Sequence, residues 1–219
     1  MKFDYIIIGA GSAGCVLSNR LSENQNNKVA VFEAGGSSDI WKVKMPLALL
    51  YTMHDPKYNW KYYSEPEPHL NNRRLFCPRG KMIGGCSAHN GMVFVRGNRN
   101  DYERWENFGL KSWSYEKVLP YFKKIETWSG GESQYRGSFG PLPVNQSKND
   151  NPLFKAFINS ASEAGHIVNP DMNGEEQEGF GMFDTTIHEG QRASTTKYYL
   201  NPAKKRKNLN IFSNSFVEK

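Results

Sequence analysis

The feature that most constrains the fold is a glycine-rich stretch near the N-terminus, residues 9–14, which reads GAGSAG. It follows the short apolar run 3–8 and opens the helical pattern 12–23, the context that separates a dinucleotide-binding turn from a chance match. In such a turn the first glycine permits the sharp bend, the second lets a pyrophosphate approach the backbone, and the third lets the helix pack closely. The helix N-terminus adds free N–H groups and a partial positive charge for the phosphates.

A second strand-like run, KVAVFEA at 28–34, completes a β-α-β unit, which implies a parallel sheet with a right-handed crossover. Glu33 ends this run, about 20 residues after the glycines, where its carboxylate can accept hydrogen bonds from ribose hydroxyls. A carboxylate here disfavours NADP, because a 2′-phosphate carries the same sign of charge. The pattern does not separate FAD from NAD. A glycine turn in an α/β domain with an ordinary surface glutamate is the structural alternative.

Hydrophobic spacing predicts further elements along the chain. Residues that share one face of the first helix are Ala13, Val16, Leu17 and Leu21. Helices are also expected over 114–126, where Pro120 falls inside the pattern, over 151–165 with Asn151 as its cap, and from Ser194. The last residues, 209–219, are expected to form a strand.

Other segments lack a clear period. Residues 36–78 are rich in aromatic residues, proline and histidine, as functional lids and wrapped loops often are. Residues 129–141 are dominated by glycine and polar residues, which predicts an exposed connection. The run RGKMIGGCSAHNGMVFVRG at 79–97 is glycine-rich and then strand-like.

Composition narrows the class of protein. The formal net charge is +6, but the basic residues are scattered apart from the run 204–207, so we expect no nucleic-acid partner. The three cysteines, Cys15, Cys77 and Cys86, show no spacing typical of a zinc site or a disulfide framework. No segment approaches the roughly 20 apolar residues that cross a bilayer. We therefore expect a cytoplasmic protein with no metal site.

The second glycine motif, residues 79–93, carries paired glycines and small residues that let main chain lie against a planar ligand. Together with GAGSAG and with EAGG at 33–36, it resembles the glucose-methanol-choline (GMC) oxidoreductase family, whose members are FAD enzymes that oxidise alcohols. Stretches that resemble the choline dehydrogenase branch are NW at 59–60, EPEPHL at 65–70, RGN at 96–98, DYERWE at 101–106 and STTKYYLNPA at 194–203. The likeness covers essentially the whole chain.

The resemblance implies an α/β, Rossmann-like FAD-binding fold with a parallel sheet, a lid-like loop and the start of a substrate domain, in truncated form. The expected division is an FAD-binding unit at 1–50, a lid-like loop at 51–78, a continuation of the FAD-binding part at 79–130, a partial substrate domain at 131–193 and a return to the FAD-binding domain at 194–219.

The same resemblance assigns cofactor-binding residues. Those for the pyrophosphate and ribose are Gly9, Gly11, Ser12, Ala13, Gly14, Glu33 and Ala34. Those for the ribityl and isoalloxazine part are Arg79, Met82, Gly84, Gly85, Ser87, His89, Asn90, Gly91, Met92 and Val93. Val217, on the expected closing strand, resembles the family residue whose backbone meets the adenine.

Cys86 and His89 depart from the commonest form of the family motif. The sequence GGCSAHN resembles the variant in which a histidine is covalently bonded to the flavin. Covalent attachment through His89 is therefore one interpretation. Simple packing or hydrogen bonding of the imidazole near the ring is the other.

The resemblance places the catalytic histidine pair near the C-terminus of a much longer chain, so we expect no catalytic residue before Lys219 and interpret the sequence as an N-terminal fragment. The intact enzyme would oxidise choline or a similar primary alcohol by hydride transfer to flavin N5, with an electron acceptor that the sequence does not identify. An NAD-dependent dehydrogenase domain and a non-catalytic dinucleotide-binding remnant remain the alternatives.

Overall fold

The computed structural model describes residues 2–219 and opens with the strand-helix-strand unit that the glycine pattern predicts. Strand β1, Tyr5–Ile8, leads into helix α1, Ser12–Leu21, and strand β2, Val29–Phe32, runs parallel to β1. The C-terminal strand, Leu209–Phe212, pairs in parallel with the other side of β2. The predicted α/β class with a parallel sheet is confirmed.

Helix α1 buries a different face from the one that its apolar residues indicated. The buried face does not include the apolar residues that share a face, Ala13, Val16, Leu17 and Leu21. The buried residues of the helix are Gly14, Cys15, Ser18 and Asn19. A Cβ at Gly14 would lie 1.9 Å from the carbonyl oxygen of Gly9, and the Asn19 amide donates to the backbone oxygen of Tyr199 at 2.6 Å. Because the helix lies so close to neighbouring main chain, only small side chains and a hydrogen-bonded amide fit there.

Strand β1 lies at one edge of the three-stranded sheet, in which β2 is central. Ile7 is buried on the α1 side, whereas Ile6 and Ile8 are 61% and 69% exposed. Alternate side chains of a strand point to opposite faces, so the second face of β1 is uncovered by the described residues. An apolar run such as 3–8 predicts a buried parallel strand, and that prediction is wrong for Ile6 and Ile8.

The segment without a period contains short elements. Helices α2 and α3 span Trp41–Lys44 and Leu49–His54. Strand β3, Tyr62–Tyr63, pairs antiparallel with strand β4, Phe76–Cys77. Elements this short fall below the window over which periodicity can be recognised. A single turn of 3-10 helix, Gly85–Ala88, follows in the second glycine motif.

Residues 93–188 form a second compact unit, and the residues before and after them form the first. The elements of the second unit are β5 Val93–Phe94, α4 Arg99–Asn107, α5 Tyr115–Ile125, β6 Glu126–Trp128, β7 Leu142–Val144, α6 Pro152–Glu163, β8 Asp184–Thr185 and β9 Ile187–His188. Strand β5 pairs antiparallel with β8, and β6 pairs in parallel with β7.

The helices α5 and α6 match the predicted segments. Pro120 lies inside α5. The side-chain oxygen of Asn151 accepts from the backbone N–H of Leu153 at 2.9 Å, so Asn151 caps α6 as expected. Helix α4 was not predicted, although Asn98 caps it in the same way, by accepting from the N–H of Asn100 at 2.9 Å.

A buried ionic cluster organises the second unit around Glu126. Its carboxylate accepts from Arg136 Nε at 2.9 Å, from Arg96 Nη2 at 2.8 Å and from the backbone N–H of Gly137 at 2.9 Å. Arg136 also pairs with Asp171 and, at 2.8 Å, with Asp184. The prediction that 129–141 is an exposed connection is therefore wrong at Arg136, which is fully buried because its guanidinium joins three carboxylates.

The chain ends in the first unit. Strand β10, Gln191–Arg192, is followed by a π-helical turn, Thr196–Leu200, and by the short helix α7, Asn201–Ala203, where the sequence predicts a short helix. None of the helices within residues 2–219 is long and apolar enough to cross a membrane. The assignment of the predicted segments to a flavin domain and a substrate domain stays a prediction.

Candidate functional site

The two glycine motifs lie against each other. The N–H of Gly84 donates to the carbonyl oxygen of Ala10 at 2.6 Å. A Cβ on Gly85 would lie 2.8 Å from the Cα of Gly11, so the two backbones touch with no side chain between them. Gly84 and Gly85 have φ angles of +93° and +50°, a conformation that favours glycine. The segments that the sequence singled out thus meet at one place in the first unit.

Two further glycines are explained by the packing of this junction. A Cβ on Gly35 would lie 2.0 Å from the oxygen of Lys81, and a Cβ on Gly80 would lie 2.3 Å from the oxygen of Gly85. Each contact would be with main chain, which cannot move aside cheaply. Gly35 therefore allows residues 33–36 to lie against Lys81, and Gly80 allows the second motif to fold back on itself at Gly85.

Gly11 and Gly91 have no such explanation within the protein. A Cβ at either position would meet nothing within 4 Å, and neither residue has a positive φ angle. Neither neighbouring atoms nor backbone conformation therefore requires glycine there. A surface kept free of side chains although the fold does not demand it fits the close approach of a ligand to the main chain.

The N-terminus of α1 opens at Gly11. The helix is 10 residues long, Gly11 provides no side-chain cap, and no acidic residue lies in the first turn. The first N–H groups of a helix have no partner within it, and they carry a partial positive charge. Ser12 and Ala13 begin this turn, so the structure places them as a phosphate-binding role requires.

Glu33 braces the first glycine turn. Its Oε2 accepts from the N–H of Ala10 at 2.8 Å and its Oε1 accepts from the N–H of Gly35 at 2.8 Å, and the residue is buried. An ionised carboxylate oxygen can accept more than one hydrogen bond. Glu33 can therefore hold the turn and still accept from a ribose hydroxyl, whereas the sequence analysis foresaw only the second role.

A cavity of about 270 Å³ lies at this junction. Six of the predicted residues line it: Gly9, Gly11, Glu33, Ala34, Gly85 and Val217. Val217 lies after the C-terminal strand, which ends at Phe212, so its expected place on the strand was wrong. The strand ends there because the chain turns back toward Glu33 and Gly35: the N–H of Ser215 donates to the oxygen of Glu33 at 2.8 Å and that of Asn214 to the oxygen of Gly35 at 2.9 Å.

Aromatic residues complete the cavity, and the sequence did not identify them as a pair. Trp60 and Phe216 both line it, with ring centroids 6.1 Å apart and planes tilted by 56°. The ammonium of Lys81 lies 4.8 Å from the centroid of Trp60. Trp60 and Phe216 are far apart in the chain, so only the fold could bring them together. Flat aromatic faces of this kind suit a planar base.

The predicted residues of the second motif serve different purposes. Met82 is fully buried and packs with Val43 and Ala88, so its side chain belongs to the core. The Ser87 hydroxyl donates to the oxygen of Gly84 at 2.7 Å and accepts from the N–H of Thr195 at 3.1 Å, which ties the motif to the C-terminal part of the unit.

The other members of that set remain accessible or lie elsewhere. The side chains of Arg79 and Asn90 are exposed, as is Gly91, whereas Met92 is buried with a φ of +60°. Val93 is the first residue of the second unit.

His89 is the most unusual residue of the second motif. It is only 3% exposed, and its Nδ1 has no hydrogen-bond partner among the described residues. Burial, with the positive charges of Arg192 and Arg79, lowers the pKa of this imidazole below 6.5. The lowered pKa favours the neutral form of the imidazole, in which one of the two ring nitrogens carries no proton. No group of three or more His, Cys, Asp or Glu residues in the described chain could hold a metal ion.

The family follows from comparison with known sequences. The sequence model of the GMC oxidoreductase family matches residues 3–219. The chain belongs to the GMC oxidoreductase family. This chain is 51% identical over 211 residues to the oxygen-dependent choline dehydrogenase of Sinorhizobium fredii, with 96% of this chain and 38% of that protein covered. It is 48% identical to the enzyme of the same name from Vibrio vulnificus, with 99% and 39% covered.

Solved structures agree with this GMC assignment. The pyridoxine 4-oxidase from Mesorbium loti superimposes with a TM-score of 0.91 at 30% identity, over 97% of this chain and 42% of that one. A formate oxidase superimposes with a TM-score of 0.84 at 27% identity, over 97% and 38%. This GMC chain thus spans about two fifths of the length of the proteins that it matches.

Proposed function

We propose that this chain forms the FAD-binding part of an oxidoreductase that acts on the CH–OH group of an alcohol. The observation that carries the proposal is the side-chain-free surface at Gly11 and Gly85, at the uncapped N-terminus of α1. It is supported by membership of the GMC family and by relatives named oxygen-dependent choline dehydrogenase. Because those relatives are longer than this chain, the activity is proposed for the intact protein.

The residues of the cavity divide the work of holding FAD. The first N–H groups of α1, from Ser12 onward, bind the pyrophosphate, with Gly11 leaving room for it. The free lone pairs of Glu33 accept from the adenosine ribose. Trp60 and Phe216 flank the adenine, beside Val217. When bound, the flavin supplies an acceptor for the hydride removed from the alcohol carbon.

The second motif holds the redox-active end in this proposal. Gly84, Gly85 and Gly91 provide main chain without side chains, and the exposed amide of Asn90 provides a polar contact. Arg79, Ser87, Met92 and Val93 complete the set assigned by the family motif, with Met82 acting from the core. The names of the relatives favour choline or a similar primary alcohol as the substrate. The proposed location of the enzyme is the cytoplasm.

We propose further that His89 forms a covalent bond to the flavin. A neutral imidazole with an unpaired nitrogen is a competent nucleophile toward the ring methyl carbon. With FAD bound, the ring would supply the methyl carbon, and the bond would form with release of one methyl proton, the imidazole N–H proton and two electrons, which the electron acceptor of the enzyme would take up. Acid precipitation of the flavin-loaded intact protein tests the bond: yellow colour in the pellet supports it, and colour in the supernatant refutes it.

The substitution Gly11→Ala tests the function without disturbing the fold. Gly11 has an ordinary φ of −73° and no neighbour within 4 Å of the added methyl, so the free energy of unfolding should change by less than about 0.5 kcal/mol. Affinity for FAD should fall at least tenfold, because the methyl occupies the path of the pyrophosphate. Flavin fluorescence quenching on titration measures the affinity, and urea unfolding of the apoprotein measures stability.

Gly14→Ala is the matched comparison for this experiment. Its methyl would meet the oxygen of Gly9, so it should destabilise the apoprotein itself by about 3 kcal/mol. If Gly11→Ala leaves FAD affinity unchanged, the surface at Gly11 does not hold the pyrophosphate. Tight binding of NAD by the wild-type protein without binding of FAD would favour the dehydrogenase alternative.

A further inference from the structure

Arg192, on β10, is a buried cation without an anionic partner. The residue is 2% exposed, and no carboxylate pairs with it among the residues that the structure describes. Its Nε donates to the oxygen of Val43 at 3.1 Å, and its Nη2 has no partner. Burial lowers the pKa of Arg192 to about 10, so the guanidinium still carries its charge at neutral pH.

The other buried arginines of the described chain each have a carboxylate partner. Arg96 and Arg136 each form an ion pair with Glu126. Burying a charge without such a partner costs several kcal/mol unless hydrogen bonds replace the lost water. Arg192 has only neutral acceptors, so the positive charge itself is uncompensated at this place.

The acceptors of Arg192 belong to the second glycine motif. Its Nη1 donates to the backbone oxygen of Asn90 at 2.8 Å, to the side-chain Oδ1 of Asn90 at 2.7 Å and to the oxygen of Ser87 at 3.4 Å. The Arg192 guanidinium therefore fixes both the backbone at Ser87 and Asn90 and the orientation of the Asn90 side chain.

The orientation of the Asn90 amide follows from this contact. Arginine carries only donors, so the atom facing it must be the amide oxygen, and the same oxygen accepts from the N–H of Met92 at 3.1 Å. The Nδ2 group must then point away from both. Since Asn90 is exposed, its two N–H donors are presented to the surface that the proposed function gives to the flavin.

We infer that Arg192 is a positioning residue for the flavin site, which orients the Asn90 amide toward the cofactor and leaves a positive charge behind the loop that favours the reduced, negatively charged flavin. The inference rests on the proposed function. Charges near the flavin ring are one of the means by which a protein tunes the cofactor's electronics.

The test uses the flavin-loaded intact protein and three variants. Arg192→Met removes the charge at similar length, Arg192→Lys keeps the charge and loses the fork of donors, and Arg206→Met is the control. Arg206 lies in the same unit and also donates to a backbone oxygen, that of Asn19, but among the described residues it forms no hydrogen bond with the second motif. The measurements are the flavin midpoint potential against a reference dye, the affinity of the apoprotein for FAD by titration, and apoprotein unfolding.

Arg192→Met should lower the equilibrium constant for two-electron reduction about tenfold, which is close to 30 mV. Arg192→Lys should keep this equilibrium constant within a factor of three of the wild-type value. Its affinity for FAD should fall at least threefold, because Asn90 is no longer held. Arg206→Met should keep the wild-type potential even if its stability falls. Should Arg192→Met fail to fold, Arg192→Gln, which keeps one donor without the charge, must show the same lowering of the potential.

A flavin-loaded Arg192→Met or Arg192→Gln protein with the wild-type potential would overturn the inference while leaving the proposed function intact. An equal fall in potential in Arg192→Met and Arg192→Lys would overturn the assignment to charge. A wild-type protein that binds no flavin would overturn the proposed function first, and the inference with it.

Discussion

At the scale of single residues, the glycines of the two motifs and of residues 33–36 divide into those that the fold requires and those that it does not. Gly14, Gly35 and Gly80 prevent clashes between backbones, so they would be needed even in an empty domain. Gly11 faces open space in an ordinary conformation. This division could not be predicted from sequence, because the motif presents all its glycines alike. Only their three-dimensional neighbours separate the glycines that the packing requires from those that face open space.

Glu33 provides a test of its bracing role. In Glu33→Gln one of the two backbone donors, on Ala10 or Gly35, would face an amide NH₂ instead of an oxygen. An unsatisfied buried donor costs about 1–3 kcal/mol, and we expect the free energy of unfolding of the apoprotein to fall by that amount in urea. Glu23→Gln is the control, since Glu23 forms an exposed pair with Arg20 and should cost less than about 1 kcal/mol. Equal effects of the two substitutions would argue against the bracing role.

His89 should make stability depend on pH in a defined direction. The pKa of His89 is lower in the folded protein than the ordinary 6.5, so below pH 6.5 the unfolded chain takes up a proton that the folded chain does not. Stability from this residue is complete above pH 6.5 and is lost as the pH falls from there toward the lowered folded value. Urea unfolding of the apoprotein at a series of pH values should show this slope.

The matched variants for that experiment are His89→Asn and His69→Asn. The slope below pH 6.5 should diminish in His89→Asn and persist in His69→Asn, because His69 is exposed. A slope that survives in His89→Asn would show that other groups cause it.

Among the elements, those with strong local signals could be predicted. The β-α-β unit and α6 combine periodicity with end signals, a glycine turn in the first case and Asn151 with Pro152 in the second. The buried face of α1 could not be predicted, because close packing against main chain favours Gly14 and Ser18 over Leu17. The burial of Arg136 depended on distant carboxylates, Asp171 and Asp184, which no local pattern connects to it.

The cap of α6 provides a prediction for that element. Asn151→Ala removes the side-chain oxygen that accepts from the N–H of Leu153, and should cost about 1 kcal/mol of unfolding free energy. Lys148→Ala, at an exposed position before the helix, should change it by less than about 0.5 kcal/mol. Thermal or urea unfolding followed by circular dichroism measures both, and a silent Asn151→Ala would contradict the cap.

The ionic cluster around Glu126, on β6, provides a prediction with a larger expected loss of stability. Glu126→Gln removes the carboxylate that pairs with Arg96 and one of the three that pair with Arg136, and breaking a buried pair in this way costs about 3–5 kcal/mol. Glu116→Gln, on the exposed face of α5, should have a much smaller effect, since its pair with Arg99 is solvated. The urea midpoint of each variant gives the comparison. Similar midpoints would contradict a structural role for the cluster.

For the whole molecule, the first unit is assembled from both ends of the chain, residues up to 92 and residues 189–219. The proposed cofactor site depends on that arrangement, because Val217 and Phe216 join Gly9 and Gly11 at one cavity. Family membership could be predicted from the order of the motifs. The aromatic pair and the buried Arg192 could not, since each depends on contacts between residues far apart in sequence.

The central claim is that the cavity at Gly11 and Gly85 holds FAD. Its most direct test is equilibrium titration of the purified apoprotein with FAD and, separately, with NAD, comparing wild type with Gly11→Ala. We expect saturable binding of FAD with a flavin absorption spectrum, at least tenfold weaker affinity in Gly11→Ala, and no comparable binding of NAD. Failure of the wild-type protein to bind FAD, or equal affinity in wild type and Gly11→Ala, would contradict the claim.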